Sequence, residues 1–269
     1  MKVITVCNAK GGCGKSTIAL SLAASLAQTT TGRTPRTKVL VLDMDPQAQV
    51  SDWLQASDGL NRAGTLAAVF LRETSLANII KATGIKNVFI APGSQPLESI
   101  SHSMDEIEGY EAMLAEFLAE LPENAFDYVV IDCPNQISPL MECAIFPTDV
   151  FIVPIESTKA VASYANFYAL VRKHRMPGTY SFLHVLNNIT LTGVRNSVVE
   201  FMQQEGIAIA KTEIRNCGWL AQVDRHGGSI FDYRPHSKGA EDIPKLQREV
   251  LSKLRTTKGT TKQKKAAHA

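Results

Sequence analysis

The run Ala9-Lys-Gly-Gly-Cys-Gly-Lys-Ser-Thr17 joins a short apolar stretch, Lys2–Cys7, to a helix-compatible stretch, Ser16–Ala27. A Gly-rich turn held between a strand and a helix constrains a chain more than any other feature here. Small residues let backbone N–H groups converge on an anion, and the positive end of the following helix favours negative charge at that point. Gly11, Gly12, Cys13, Gly14, Lys15, Ser16 and Thr17 therefore form a candidate phosphate-binding set. Lys15 has the reach for β- and γ-phosphates, and the Ser16 hydroxyl suits Mg2+. The strict pattern G-x-x-x-x-G-K-[ST] fails at its first position, Ala9. A chance Gly-rich turn is the competing reading, and the strand–loop–helix context argues against it. Lys10 is a second lysine that the general pattern does not require; taken alone it is a solvated loop cation.

The rest of the chain repeats the alternation of strand and helix. Val- and Ile-rich runs at Lys2–Cys7, Lys38–Leu42, Asn87–Ala91, Asp127–Ile131, Val150–Pro154 and Ser181–Leu186 predict strands. Ser16–Ala27, Asp105–Leu121, Ser163–His174 and Asn196–Glu205 predict helices between them. Continuous apolar strands are usually buried on both faces, so the pattern predicts an α/β fold: a doubly wound, mostly parallel sheet with helices on both faces. With 269 residues, 45% of them hydrophobic, the chain can bury one sizeable core without disulfides. Its five cysteines include no C-x-x-C pair, which points to a reduced, cytoplasmic compartment. No signal peptide is visible, and no apolar run approaches the length of a membrane span.

Two acidic motifs accompany the loop. Val39-Leu-Val-Leu-Asp-Met-Asp-Pro-Gln47 ends an apolar strand with Asp43 and Asp45, and Tyr128-Val-Val-Ile-Asp-Cys-Pro134 ends another with Asp132. Carboxylates at strand C-termini suit a ligand site, because ligands of open α/β sheets sit outside those ends. Each Asp alone could equally be a turn former or a helix N-cap. Three motifs in this order resemble the ParA/MinD family of ATPases, in which K-G-G-x-G-K-[ST] is a deviant Walker A motif. The resemblance implies a P-loop ATPase domain over residues 1–254 that uses ATP and Mg2+ and forms an ATP-sandwiched homodimer. It implies that Lys10 reaches across the dimer to the partner's nucleotide. It also implies that Asp45 orients the attacking water, that Asp43 lies nearer the metal shell, and that Asp132 holds Mg2+ through water. The same likeness makes Asn187 in Val185-Leu-Asn187 the adenine contact, with Asn188 competing, and matches Ala91-Pro-Gly-Ser-Gln-Pro-Leu97 to a Pro-containing loop. Asn135 departs from the family, where many relatives carry a second Pro.

The motifs give the chemistry and leave the cargo open. One branch of the family binds nonspecific double-stranded DNA in the ATP state and is stimulated by a ParB-like centromere-binding protein or a cargo adaptor. It serves plasmid or chromosome segregation or cargo positioning, and its members are nucleoid-associated. Arg215 and Lys238 match the basic DNA-contacting positions of that branch, with Arg234, Lys245 and Arg248 as further candidates; each could instead be a surface cation or bridge an acid. Arg225-His-Gly-Gly-Ser-Ile230 belongs to the same matched region. A second branch is MinD-like and cycles on membranes through a terminal amphipathic helix, which needs bulky apolar anchors. Beyond Leu254 the chain reads RTTKGTTKQKKAAHA, without any, so a membrane partner is not expected. A third, resembling nitrogenase iron protein, needs a cysteine pair that is missing from Pro92–Ser103. No helix-turn-helix precedes the loop, as in the short partition ATPases.

Charge divides by region. The formal net charge is +2, but six basic residues and no acid fall in the last 17 positions, leaving 22 basic against 26 acidic residues before them. We therefore expect residues 255–269 to be a disordered basic tail on an acidic body, and any DNA affinity to come from a local basic surface.

Overall fold

The structure is a computed structural model that describes residues 1–29, 37–56, 62–222, 226 and 228–257. Seven strands form one sheet in the order β3-β4-β2-β5-β1-β6-β7. They are β1 (Lys2–Val6), β2 (Val39–Asp43), β3 (Lys81–Ala82), β4 (Val88–Ala91), β5 (Tyr128–Asp132), β6 (Val150–Ile155) and β7 (Ser181–Leu186). All neighbours pair in parallel except β3, which pairs antiparallel with β4 through Lys81↔Ile90 and Ala82↔Phe89. The six strands read from the sequence are present to within a residue or two; β3 has two residues and too little pattern to be seen.

Period-two alternation sends successive strand residues into two separate cores. Val3 and Cys7, Leu40 and Leu42, and Val129 and Ile131 enter one core, while Ile4 and Val6, Val39 and Val41, and Val130 enter the other. The second core is covered by α1 (Lys15–Ala27), α2 (Gln49–Trp53) and the last long helix. The first core takes α3 (Leu66–Phe70), α4 (Leu76–Ile79), α5 (Leu97–Ser103), α6 (Met113–Ala119), α7 (Pro139–Ile145), α8 (Thr158–His174) and α9 (Thr192–Gln204). After α10 (Ile230–Tyr233), α11 (Lys238–Thr256) closes the other face, with Gln247 accepting from Ser25 Oγ on α1. This is the doubly wound α/β arrangement of a P-loop fold.

Three sequence expectations are corrected. Asp105–Leu121 is not one helix: Gly109 takes φ 75°, a left-handed turn that ends one helical path, and only α6 is α-helical. Helix α8 starts five residues before Ser163, because Ser157 caps it by accepting from Ala160 N–H. Helix α11 runs to Thr256, so Arg255 belongs to the body; residues 258–269 of the expected basic tail lie outside the described residues. Among the described residues no helix is long and apolar enough to cross a membrane.

Candidate nucleotide-binding site

The phosphate loop leaves the C-terminal end of β1, between β5 and β6, and its shape is imposed by side chains that the motif does not contain. Asn8 is buried and donates from Nδ2 to the Pro154 carbonyl at 2.8 Å, while its Oδ1 accepts from Lys10 N–H at 3.1 Å and Ser163 Oγ at 2.9 Å. Gly12 and Gly14 take φ 76° and 88°, the left-handed region that glycine adopts without a Cβ penalty. Lys15, only 6% exposed, donates to the Lys10 carbonyl at 3.2 Å, and the Cys13 thiol contacts the same oxygen. Gly11, Gly12, Gly14, Lys15, Ser16 and Thr17 line one side of a cleft of about 310 Å3, and Asp45 and Asn135 line the other. Cys13 points inward and is fully buried.

Parallel register sets the two strand-end acids side by side. Asp43 on β2 is paired with Asp132 on β5, and Val6 at the end of β1 is paired with Asp132 in turn. Both carboxylates are fully buried. Asp43 Oδ2 accepts from Ser51 N–H at 2.8 Å and Ser51 Oγ at 2.6 Å, but its Oδ1 and both oxygens of Asp132 lack a hydrogen-bond partner among the described residues. Burial raises the Asp43 pKa to about 6, opposed by the Ser51 bonds. Burial also drives Asp132 well above the usual carboxylate range, with the Asp43 charge adding to it and Ser16 and Lys15 pulling back. Orphaned buried acceptors of this kind are costly unless a cation satisfies them. The donor set fits Mg2+, which takes one or two carboxylates and completes its shell with phosphates and water. Asp45 is half-buried at the cleft, with Oδ1 accepting from Gln47 N–H at 2.9 Å.

Asn187, the expected adenine contact, is 7% exposed and donates from Nδ2 to the Cys13 carbonyl at 2.7 Å, a bond that braces the loop. A Cβ on Gly14 would come within 2.5 Å of that same nitrogen. Asn188 is turned away in a left-handed conformation (φ 57°) and accepts from Asn216 Nδ2. Lys10 is ion-paired within its own chain to Glu156, at the end of β6.

The basic candidates divide. Arg215 is bound to Asp242 at 2.8 Å and Glu241 at 2.7 Å, the ion-pair alternative for that residue. Asp242 is 2% exposed; burial opposes its charge, yet the Arg215 and Lys245 bonds hold its carboxyl below the ordinary range. Lys238 is exposed at the first turn of α11, and Lys245 is committed to Asp242 at 2.9 Å. Arg225 lies outside the described residues. The sequence reading missed Asn8, Ser51, Gly93 and Glu156. Gly93, in the Pro-containing loop, admits no side chain, because its Cβ would meet the Asp43 carbonyl at 2.4 Å. Only the position of Asn8, directly before the loop, was a visible signal; Ser51, Gly93 and Glu156 act through side-chain and backbone contacts to Asp43, to one another and to Lys10 that no local motif shows.

The profile of the AAA domain family matches residues 1–176. Sporulation initiation inhibitor protein Soj of Bacillus subtilis is 27% identical over 268 residues, covering 93% of this chain and 98% of Soj. The structure of apo McdA from Cyanothece superposes with TM-score 0.80 at 22% identity, covering 93% of this chain and 99% of McdA. Cobyrinic acid a,c-diamide synthase from Mycobacterium smegmatis, solved with an ATP analogue and magnesium, gives TM-score 0.75 at 20% identity over 93% of this chain and 94% of its own. Both structures carry the same fold. A profile match through Arg175 and beyond it to residue 176, on a chain whose phosphate loop opens with Lys10, assigns the protein: it belongs to the AAA domain family, in its ParA/MinD-type branch.

Proposed function

We propose that this chain is a Mg2+-dependent partition ATPase that works as a dimeric nucleotide switch. The observation that carries the reading is the juxtaposition at the end of β1: a backbone cradle for phosphate, Lys15 beneath it, and the orphaned carboxylates of Asp43 and Asp132 beside it. Alignment with Soj along nearly the whole chain supports the same reading. When bound, Mg2+ would supply charge neutralisation at the β- and γ-phosphates, with Ser16, Asp132 and Asp43 around it. Lys15 and the loop amides bind the phosphates, and Asp45, at the cleft wall, orients water for attack. Lys10 exchanges its own Glu156 for the partner's nucleotide when two subunits close. A cation supplied in trans makes turnover depend on dimerisation.

The closed dimer binds nonspecific double-stranded DNA, which places the protein in the cytoplasm on the nucleoid. A ParB-like or adaptor protein then stimulates hydrolysis and release. Lys238 is an exposed candidate phosphate contact that makes no ion pair among the described residues, and Arg215 supports the surface through its ion pairs. The MinD-like alternative finds less support, because Val250 and Leu254 near the end of α11 are spent in the core. Binding of the full chain to random duplex DNA and to anionic vesicles, each with ATP and with ADP, tests the reading. ATP-dependent, steeply salt-sensitive DNA binding without vesicle binding is the expected result; ATP-dependent vesicle binding alone overturns it.

A further inference from the structure

Lys10 is held at both ends by one corner of the fold, the passage from β6 into α8. Its ammonium is paired with Glu156, whose carboxylate also accepts from Ser157 Oγ, the cap of α8, at 3.1 Å. Its backbone N–H donates to Asn8 Oδ1 at 3.1 Å. Asn8 is 1% exposed, and its remaining bonds all end on that same corner. Nδ2 donates to the Pro154 carbonyl at 2.8 Å and, at 3.4 Å, to the Ala160 carbonyl. Oδ1 accepts a second bond from Ser163 Oγ at 2.9 Å.

The orientation of the Asn8 carboxamide follows from its partners: Lys10 N–H can only donate and the Pro154 carbonyl can only accept. Two donors on Oδ1 fill both of its lone-pair directions and fix the plane of the group. One of those donors is local, and the other comes from a helix 155 residues further along the chain. Ser163 is half-buried in the second turn of α8, and its hydroxyl also lies 3.0 Å from the Ala160 carbonyl. That side chain is thus the one point at which α8 clamps the acceptor of the Lys10 amide.

We propose, on the reading that Lys10 acts in trans, that Ser163 is a positioning residue for that lysine and works through Asn8. When the ammonium leaves Glu156 for a partner's nucleotide, the side chain swings about a backbone that must stay in place. The Asn8 carboxamide, clamped by Ser163, supplies the fixed pivot. Without the clamp the Lys10 backbone samples more directions, and fewer of them carry the ammonium to its target. The middle of the phosphate loop is braced separately, by Asn187 at the Cys13 carbonyl, so nucleotide binding by the single subunit does not draw on Ser163.

Ser163→Ala removes the hydroxyl and Ser163→Thr keeps it, so the pair tests the assignment on the full chain. With a non-hydrolysable ATP analogue, Ser163→Ala should need roughly fivefold more protein to dimerise in sedimentation, the worth of one buried hydrogen bond. Its ATP affinity, titrated calorimetrically below the dimerisation range, should stay within about twofold of wild type. In 15N NMR of the nucleotide-free chain, the Lys10 amide proton should exchange with solvent roughly fivefold faster. Ser163→Thr should return dimerisation and exchange to wild-type values. Unchanged dimerisation or unchanged Lys10 exchange in Ser163→Ala overturns the proposal. A matching loss of ATP affinity also overturns it, because Ser163 would then support the whole loop. A wild type that fails to dimerise instead overturns the trans role of Lys10; Ser163 then stands or falls on the Lys10 amide alone.

Discussion

Asn187 Nδ2 donates to the carbonyl of Cys13 at 2.7 Å, tying the end of β7 to the middle of the phosphate loop across 174 residues of sequence. Removing this bond leaves a buried carbonyl unpaired in the loop that must hold phosphate. Asn187→Ala should therefore weaken ATP binding by roughly tenfold or more. Calorimetric titration with ATP and GTP checks the mechanism: a bracing residue lowers both affinities equally, whereas a base contact changes their ratio.

Lys10 and Glu156 form the second relationship that the loop motif does not reveal. Lys10→Ala should abolish ATP-dependent dimerisation or lower partner-stimulated turnover by about a hundredfold or more, while retaining nucleotide binding. Glu156→Gln should act in the opposite direction. Freed from its partner in cis, Lys10 should drive dimerisation at roughly fivefold lower protein concentration, in line with about 1 kcal/mol for a partly buried ion pair. Sedimentation of both variants with a non-hydrolysable ATP analogue measures the two effects.

Asp132 holds two buried oxygens without partners, so its present form costs stability and serves a ligand. Asp132→Asn should leave the thermal midpoint of the nucleotide-free protein unchanged or raised. It should also erase the extra stabilisation that Mg2+ adds to bound ADP, and lower turnover by about a hundredfold. Thermal scans with ADP, with and without Mg2+, separate these outcomes. A lowered midpoint without ligand would show that the carboxylate is structural.

The two best-matched basic positions should respond differently to charge reversal. Arg215→Glu sets a third acid against Glu241 and the nearly inaccessible Asp242, so it should lower the thermal midpoint as well as DNA binding. Lys238 makes no ion pair among the described residues, and at the first turn of α11 the helix dipole offsets the repulsion of a Glu there by Glu241. Lys238→Glu should therefore weaken DNA binding with little change in the midpoint. Melting curves and DNA titrations of both variants read this directly, and an unaffected Arg215→Glu midpoint would count against the ion pairs.

His184 supplies a pH signature. Burial lowers its pKa from 6.5 to about 4, opposed by the bond to Ala208. The unfolded chain takes up this proton below about pH 6.5 and the folded chain does not, so stability is complete above 6.5 and falls as pH drops toward 4. The loss should reach roughly 3 kcal/mol at the lower end. Asp43, whose raised pKa acts with the opposite sign, is common to wild type and variant. His184→Phe should therefore flatten the acid side of the stability curve between pH 7 and 4.5 relative to wild type, as measured by denaturant titration.

The sheet was legible because six of its strands are continuous Val- and Ile-rich runs, and burial on both faces requires that composition. The phosphate loop and the acids Asp43, Asp45 and Asp132 were legible because their spacing is local: each sits at the end of a strand, before a turn. Gly109 broke the expected helix at Asp105–Leu121 because apolar periodicity does not register a left-handed residue. Strand β3 escaped because a two-residue antiparallel edge has no period at all.

The sequence by itself determined the cradle, its lysines, the acids and the layered α/β frame that presents them at one edge of the sheet. Only the tertiary structure decided what those groups do at rest. It gave Lys10 to Glu156, Asn187 to the Cys13 carbonyl and Arg215 to Asp242, and it left Asp132 and His184 Nε2 without partners. The reason is physical: strand register and helix packing join residues up to 222 positions apart, and hydrogen-bond satisfaction is settled by that geometry rather than by neighbours in the chain.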